Sequence, residues 1–211
     1  ARAARVVLGA LLLLPQSIAP AATIKVAGGC KLPNAIAAAN ANAPRGGCPA
    51  GSGADTVELS GNVTLSKANN GDNGLPIITS NVTIDGGGFT IKRAAGAARF
   101  RILDVAAQGR LTLEAVRVVG GEVQANGGGI RSLGRVVLRN TTVTSNSSGN
   151  RGGGIYASGG ELALINSTVS RNTARRGGGV AAYLTPDFYS VYPTLSITGS
   201  SIARNTATSR G

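Results

Sequence analysis

Short runs in which apolar and polar residues alternate recur along most of the chain. They are rich in Val, Ile, Leu and Thr and bounded by Gly, Asn, Asp or Ser. In the first half they lie at 57–59, 63–65, 82–84, 89–91, 102–105, 111–113 and 116–118. Alternation with a period of two between turn residues is typical of short β-strands with one buried side. The pattern therefore predicts a protein built mainly of β-strands.

A triple glycine that returns at a constant interval organises the second half of the chain, with copies that start at Gly127, Gly152 and Gly177. A period of this size is typical of a solenoid, in which each coil buries its apolar side by stacking on its neighbours. Glycine allows positive φ and a close approach of backbones at a corner. No copy is followed by the Lys and Ser/Thr of a phosphate-binding loop. We therefore interpret the triplet as a corner of the coil.

An asparagine stands three residues after an apolar residue in each regular repeat, at Asn146, Asn172 and Asn205. Asparagines at matching corners can stack into a ladder that satisfies the backbone groups of the turns. The interval from Asn146 to Asn172 is the same as the interval from Asn140 to Asn166. We expect the members of each pair to lie one coil apart.

Residues 23–50 are predicted to form an N-terminal cap, with a short strand followed by a helix. The Ala-rich segment 32–42 places Leu32, Ile36 and Ala39 on one helical face, and Pro33 suits the first turn. A helix across the end of a solenoid covers the open edge of the first coil. Cys30 and Cys48 bracket this helix and are expected to form a disulfide in an exported protein. Two free thiols are the alternative if the protein stays reduced.

Residues 1–22 have the pattern of an incomplete secretory signal. Arg2 and Arg5 precede an apolar stretch at 6–14 that is too short to span a bilayer, and residues 19–21 fit a small-x-small cleavage site. The mature chain is then expected to begin near Ala22, without a transmembrane span, and to be extracellular or at the cell surface. The alternative is a buried N-terminal strand or helix.

Residues 30–40 resemble the CSLREA motif of secreted bacterial proteins, and the resemblance continues through Cys48 and residues 54–57, 73–78 and 82–88. In that family the motif precedes a right-handed parallel β-helix, so the resemblance implies this fold for residues 51–211. The glycine triplets and repeat asparagines are similar to the GGAI and FxxN repeats of polymorphic outer-membrane proteins. Here a third Gly replaces Ala and an aliphatic residue replaces Phe. The chain also carries Pro33 and Asn34 where the CSLREA family usually has Arg and Glu.

The last repeat is longer than the one before it. The additional residues fall within 182–193, which holds four of the seven aromatic residues of the chain: Tyr183, Phe188, Tyr189 and Tyr192. This segment is expected either to protrude and contact a ligand such as a sugar ring, or to fold back and cover the flank of the coils. The chain stops where another glycine triplet is due, so we expect the β-helix to be incomplete at its C-terminal end.

The chain has a net charge of +12, from 21 basic and nine acidic residues. A surface this basic attracts polyanions such as acidic polysaccharides or anionic lipid headgroups, although the charge could simply maintain solubility. Export and the absence of an interleaved aromatic and basic motif disfavour nucleic acid as a partner. Arg151 and Arg176, which stand just before successive triplets, are expected to form a basic stripe along one corner.

The residue types present exclude several chemistries. Without His there is no Ser-His-Asp or Cys-His system, and two cysteines alone cannot build the usual zinc site. We expect no cofactor or metal and assign no catalytic residue.

Parallel β-helices also host polysaccharide lyases, hydrolases and epimerases, which need clustered carboxylates. The acidic residues of this chain are scattered. Asp85 and Asp104, whose spacing is roughly that of an early coil, are the pair expected to align on adjacent rungs, with Asp104 facing solvent beside Arg101. The preferred function is a secreted or surface-displayed, non-catalytic structural and adhesion module able to bind acidic glycans. A carbohydrate-active β-helix enzyme is the alternative.

Overall fold

A computed structural model describes residues 20–183 and 193–209. This part of the chain forms a parallel β-helix of about five turns with one short helix. Every pairing between two of its named strands is parallel. The solenoid predicted from the alternation and the repeats is confirmed, and it has the parallel sheets that the resemblance implies.

The elements follow one another closely along the chain. The first are β1 (Thr23–Val26), α1 (Leu32–Ala41), β2 (Ala54–Leu59), β3 (Val63–Leu65), β4 (Asn81–Asp85), β5 (Thr90–Arg93), β6 (Leu103–Val105), β7 (Arg110–Glu114), β8 (Arg117–Val119) and β9 (Glu122–Val123). The regular repeats add β10 (Ile130–Ser132), β11 (Arg135–Arg139), β12 (Thr142–Thr144), β13 (Ser147–Arg151), β14 (Ile155–Ala157), β15 (Glu161–Ile165), β16 (Thr168–Ser170), β17 (Thr173–Arg176), β18 (Val180–Ala182), β19 (Thr194–Thr198), β20 (Ser201–Ala203) and β21 (Thr206–Ala207).

Four parallel sheets run along the stack. Sheet 1 contains β1, β2, β4, β7, β11, β15 and β19, and sheet 2 contains β3, β5, β8, β12, β16 and β20. Sheet 3 contains β6, β10, β14 and β18, and sheet 4 contains β9, β13, β17 and β21. From β6 onwards each coil therefore passes through sheets 3, 1, 2 and 4 in turn. The side chains of one coil lie directly above those of the next.

The core is a stack of thin aliphatic layers. Val118, Val143 and Val169 are paired in register in sheet 2 and are fully buried. Each buried Val or Leu contributes about 1.5–3 kcal/mol through removal of apolar surface from water. A narrow coil has room for such side chains but not for many rings, which accounts for the low aromatic content of the chain.

The glycine triplets lie at corners, as predicted, and the first two positions require glycine for different reasons. The first member has a positive φ: +72° at Gly127, +66° at Gly152 and +58° at Gly177. The second member leaves no room for a side chain. A Cβ atom on Gly153 would lie 2.5 Å from the carbonyl oxygen of Gly178 in the next coil.

The N-terminal cap also has the predicted form. Helix α1 buries Leu32, Ile36 and Ala39, and Cys30 and Cys48 form a disulfide. The side chain of Asn40 fixes the helix to the first coils. Its Nδ2 donates to the carbonyl of Ile77 at 2.7 Å, and its Oδ1 accepts from the backbone N–H of Thr79 at 3.0 Å.

The predicted secretory signal falls mostly on residues 1–19, which lie outside the described residues. In the part of the chain that the structure describes, no helix has the length and apolar character needed to cross a membrane.

The longer last repeat leaves the ladders undisturbed. Asn172 and Asn205 are 33 positions apart yet make the same contacts as Asn146 and Asn172, which are 26 apart. Strand β19 pairs with β15 in continuous register from Glu161 opposite Thr194 onwards. The additional residues therefore lie in the connection between β18 and β19.

Candidate functional site

Arg151 and Arg176 lie opposite each other on β13 and β17 of sheet 4, after a register shift between Ser148 and Arg151. The side chain of Arg176 is exposed, whereas that of Arg151 is half-buried. The guanidinium carbon of Arg151 lies 4.1 Å from the ring centroid of Tyr183, within range of a cation–π interaction. The structure thus places two arginines on adjacent rungs of one corner.

Tyr183 is the one member of the predicted aromatic ligand loop that lies within the described residues; Phe188, Tyr189 and Tyr192 lie outside them. Its side chain is 43% exposed and stacks on Arg151. The ring of Tyr183 therefore lies against the corner of the stack at Arg151.

A groove of about 570 Å³ follows the outer face of sheet 2, and we call it the hydroxyl groove. Its floor consists of two in-register columns from β8, β12, β16 and β20, whose side chains are small except for Arg117 at the end of one column. The lining residues are Arg117, Val119, Thr142, Thr144, Ser145, Thr168, Ser170, Arg171, Ser201, Ala203 and Arg204. The sequence signal for this groove was the Thr/Ser alternation repeated at the coil period, which sequence reasoning used only to predict strands.

Two arginines of the hydroxyl groove occupy an unusual backbone position. Arg171 has a φ of 55° and Arg204 a φ of 56°, in the left-handed region. Holding a residue that has a Cβ atom in the left-handed region destabilises the fold by about 1–2 kcal/mol. The two lie on adjacent coils, and the N–H of Arg171 donates to the carbonyl of Arg204 at 3.1 Å. Like charges are thereby held about one strand spacing, roughly 4.8 Å, apart at the backbone.

Most of the arginines in the regular coils have no carboxylate partner among the residues that the structure describes. Arg131 pairs with Asp104 and Arg135 with Glu161. The others from this region form no ion pair with any residue that the structure describes; they are Arg139, Arg151, Arg171, Arg175, Arg176 and Arg204. Arg117 of the hydroxyl groove is likewise unpaired among those residues. These coils therefore present a surplus of exposed positive charge.

The prediction that Asp104 faces solvent and aligns with Asp85 is wrong. Asp104 is fully buried in sheet 3, whereas Asp85 lies in sheet 1. Asp104 accepts two hydrogen bonds from Arg131, at 2.7 and 2.8 Å. The residue opposite Asp85 in the next coil is Glu114, so one early coil spans the interval from Asp85 to Glu114. The interval from Asp85 to Asp104 is shorter than this and cannot complete a coil.

Arg101 completes this buried cluster. Its guanidinium lies 3.8 Å from Asp104 and donates to the side chain of Asn73 at 2.5 Å and to the carbonyl of Asn126 at 3.3 Å. Burial lowers the pKa of Arg101, an effect that the negative charge of Asp104 opposes. The cluster joins the polar segment 67–74 to the coils, so it serves the fold and is not open to a ligand.

A column of three carboxylates runs along the outer face of sheet 1, and sequence reasoning missed it. Glu58 lies opposite Asp85, and Asp85 lies opposite Glu114. Lys25 forms an ion pair with Glu58 at 3.7 Å, and Asn140 donates to Glu114 at 2.7 Å. The sequence held one indication of this column: its successive members are separated by approximately the number of residues in one coil. Across the described residues, no group of three His, Cys, Asp or Glu side chains is arranged to hold a metal ion.

Comparisons of the chain with protein-family models, with curated proteins and with solved structures find no match.

Proposed function

We propose that this chain is a secreted or surface-displayed, non-catalytic β-helix module that binds acidic glycans. The observation that carries the proposal is the set of exposed arginines on the regular coils that have no carboxylate partner among the described residues, together with the hydroxyl groove that Arg117, Arg171 and Arg204 border. Guanidinium groups bind carboxylate and sulfate groups by charge-assisted hydrogen bonds, and hydroxyl side chains can bond the neutral part of a sugar. The groove offers both to one chain lying along the stack.

The positions of Arg171 and Arg204 support this function. A left-handed backbone position favours Gly or Asn, and two neighbouring guanidinium groups repel each other. Ser145 occupies the same position one coil earlier. Two arginines there lower the stability of the isolated protein, but an anionic ligand between them would offset that loss.

Binding to a polyuronate should weaken steeply as salt is added. At about 1 M salt the screening length falls to about 3 Å, so contacts between exposed charges are largely lost. The measurement is the affinity of the purified protein for polygalacturonate at rising sodium chloride concentrations, with a neutral glucan as the control polymer. Retention that is unchanged at about 1 M salt would contradict an electrostatic mode, and equal binding to the neutral glucan would contradict selection of acidic sugars.

Replacing Arg171 and Arg204 together by serine should reduce polygalacturonate affinity by about tenfold or more for each arginine, because each loses a charge-assisted hydrogen bond. Serine is the native residue at this position in the preceding coil. The matched control is Arg45→Ser with Arg110→Ser, which removes two exposed arginines that have no ion-pair partner among the described residues and do not line the groove. Equal loss in both double variants would show that total charge, and not the groove, determines binding.

The carboxylate column supports one alternative function, a carbohydrate-active enzyme. Glu58, Asp85 and Glu114 are partly exposed and lie about 4.8 Å apart at the backbone, close enough to act on one sugar ring. The same incubation with polygalacturonate separates the two functions. New reducing ends or an unsaturated uronate in the product would favour the enzyme, provided Asp85→Asn abolishes them.

A further inference from the structure

Asp55 is a buried carboxylate with one oxygen left without a partner. It lies in β2 and is 0% exposed. Its Oδ1 accepts hydrogen bonds from the backbone N–H of Ser52 at 2.6 Å and of Ala22 at 3.1 Å. Its Oδ2 is buried and has no hydrogen-bond partner among the described residues. Buried carboxylates are normally paired with a positive charge or fully hydrogen-bonded, so this site is incomplete.

No side chain that the structure describes supplies a positive charge to Asp55. Helix α1 and the segment 50–53 contain no charged residue, and a Cβ atom on Gly51 would contact both Asp55 Oδ2 and the backbone of Ala39 in α1. No described Lys or Arg forms an ion pair with Asp55. A backbone group that gains a positive charge is the remaining source of a partner within this part of the chain.

The backbone nitrogen of Ala22 is in the right place to provide it. This nitrogen already contacts Asp55, and Ala22 follows directly on the small-x-small sequence at 19–21. Hydrolysis of the peptide bond between Ala21 and Ala22 consumes one water molecule and leaves a carboxylate on Ala21 and an ammonium group on Ala22. The amide N–H, a single donor, becomes a cation with three donors at the same position.

We propose that cleavage between Ala21 and Ala22 by a signal peptidase creates an α-ammonium group that forms a buried ion pair with Asp55. Asp55 is then the acceptor for the new chain terminus. The ion pair fixes the start of β1 against β2, next to the backbone bond from Thr56 N–H to the carbonyl of Ala22 at 2.8 Å. Processing thereby completes the capped end of the β-helix. The inference shares with the proposed function only the expectation of export, and does not depend on glycan binding.

The test compares two chains that differ by one residue, one beginning at Ala22 and one beginning at Ala21, each released from a fusion without extra residues. The Ala22 chain should have a Tm higher by about 2–6 °C, because only its ammonium group reaches Asp55. In the Asp55→Asn background the difference should vanish. Equal Tm values for the two chains carrying Asp55 would overturn the proposal.

The pH dependence of the stability difference between the Ala22 and Ala21 chains supplies a second test. Pairing with Asp55 raises the pKa of the α-ammonium above its unfolded value of about 8. The higher stability of the Ala22 chain is therefore fully present when the pH is below the unfolded-state pKa of the α-ammonium group. It is lost as the pH rises through the folded-state pKa of that group. An α-amino pKa measured by NMR that is the same in both chains would contradict the ion pair, and this measurement does not require Asp55→Asn to fold.

The site of cleavage is tested on the complete chain. When it is exported from a bacterial host with an added start methionine, N-terminal sequencing of the secreted protein should read Ala22 first. A first residue at any other position would overturn the role assigned to Asp55.

Discussion

Replacing Asp104 by alanine is expected to destabilise the protein by about 3–5 kcal/mol, because it leaves positive charges buried without a partner. Arg101 is 4% exposed and faces this carboxylate, and Arg131 donates two hydrogen bonds to it. The measurement is the free energy of unfolding from urea titrations of the wild-type and variant proteins. A loss this large would remove a substantial part of the stability of an ordinary domain.

Glu161→Ala is the matched control for Asp104→Ala. It removes the ion pair between Arg135 and Glu161, which has the same 2.7 Å contact but lies at the surface. The expected loss is below about 1 kcal/mol, since water solvates the arginine that remains. Similar losses in both variants would contradict the view that burial makes the Asp104 cluster important. Adding Arg101→Met to Asp104→Ala should recover part of the lost stability.

Asn172→Ala is expected to lower the free energy of unfolding by about 3 kcal/mol, because it removes the central member of the asparagine ladder. The Oδ1 of Asn172 accepts from the backbone N–H and the side-chain Nδ2 of Asn146, at 2.9 and 3.0 Å. Its Nδ2 donates to Val143 and to Asn205, both at 3.0 Å. Asn172 is fully buried, so the groups left behind cannot bond to water. Urea unfolding again provides the measurement.

Asn150→Ala is the control for the ladder. Asn150 is half-buried on β13, and its side chain makes no hydrogen bond with the described residues. The same chemical change should alter stability there by about 0.5 kcal/mol or less. If the two asparagine variants were equally stable, the ladder would not contribute to holding the coils together.

The regular part of the fold could be predicted from sequence because stacking forces the same residue to recur at the same corner. The glycine triplets and the asparagines at 146, 172 and 205 mark one coil after another, and the contacts of Asn172 match that prediction. The cap helix was predictable for a local reason, since its buried face repeats at helical spacing.

The early coils could not be predicted in the same way, because their corners vary in length. The sequence alone does not show that Asp85 pairs with Glu114 and not with Asp104. Nor does it show that Asp104 is buried, since this depends on Arg131, which is 27 positions away along the chain. The hydroxyl groove was missed for a related reason. Its residues have ordinary strand composition and become a surface only when register aligns them.

The corner between β18 and β19 shows how this architecture can change over evolutionary time. The connection there is longer than the one in the preceding coil, yet β19 and β20 retain their register with β15 and β16. Lengthening a surface connection adds only a small closure cost, about 0.6 kcal/mol for each doubling. New segments can therefore be acquired, lost or diversified at such a corner while the neighbouring rungs continue to supply the stability.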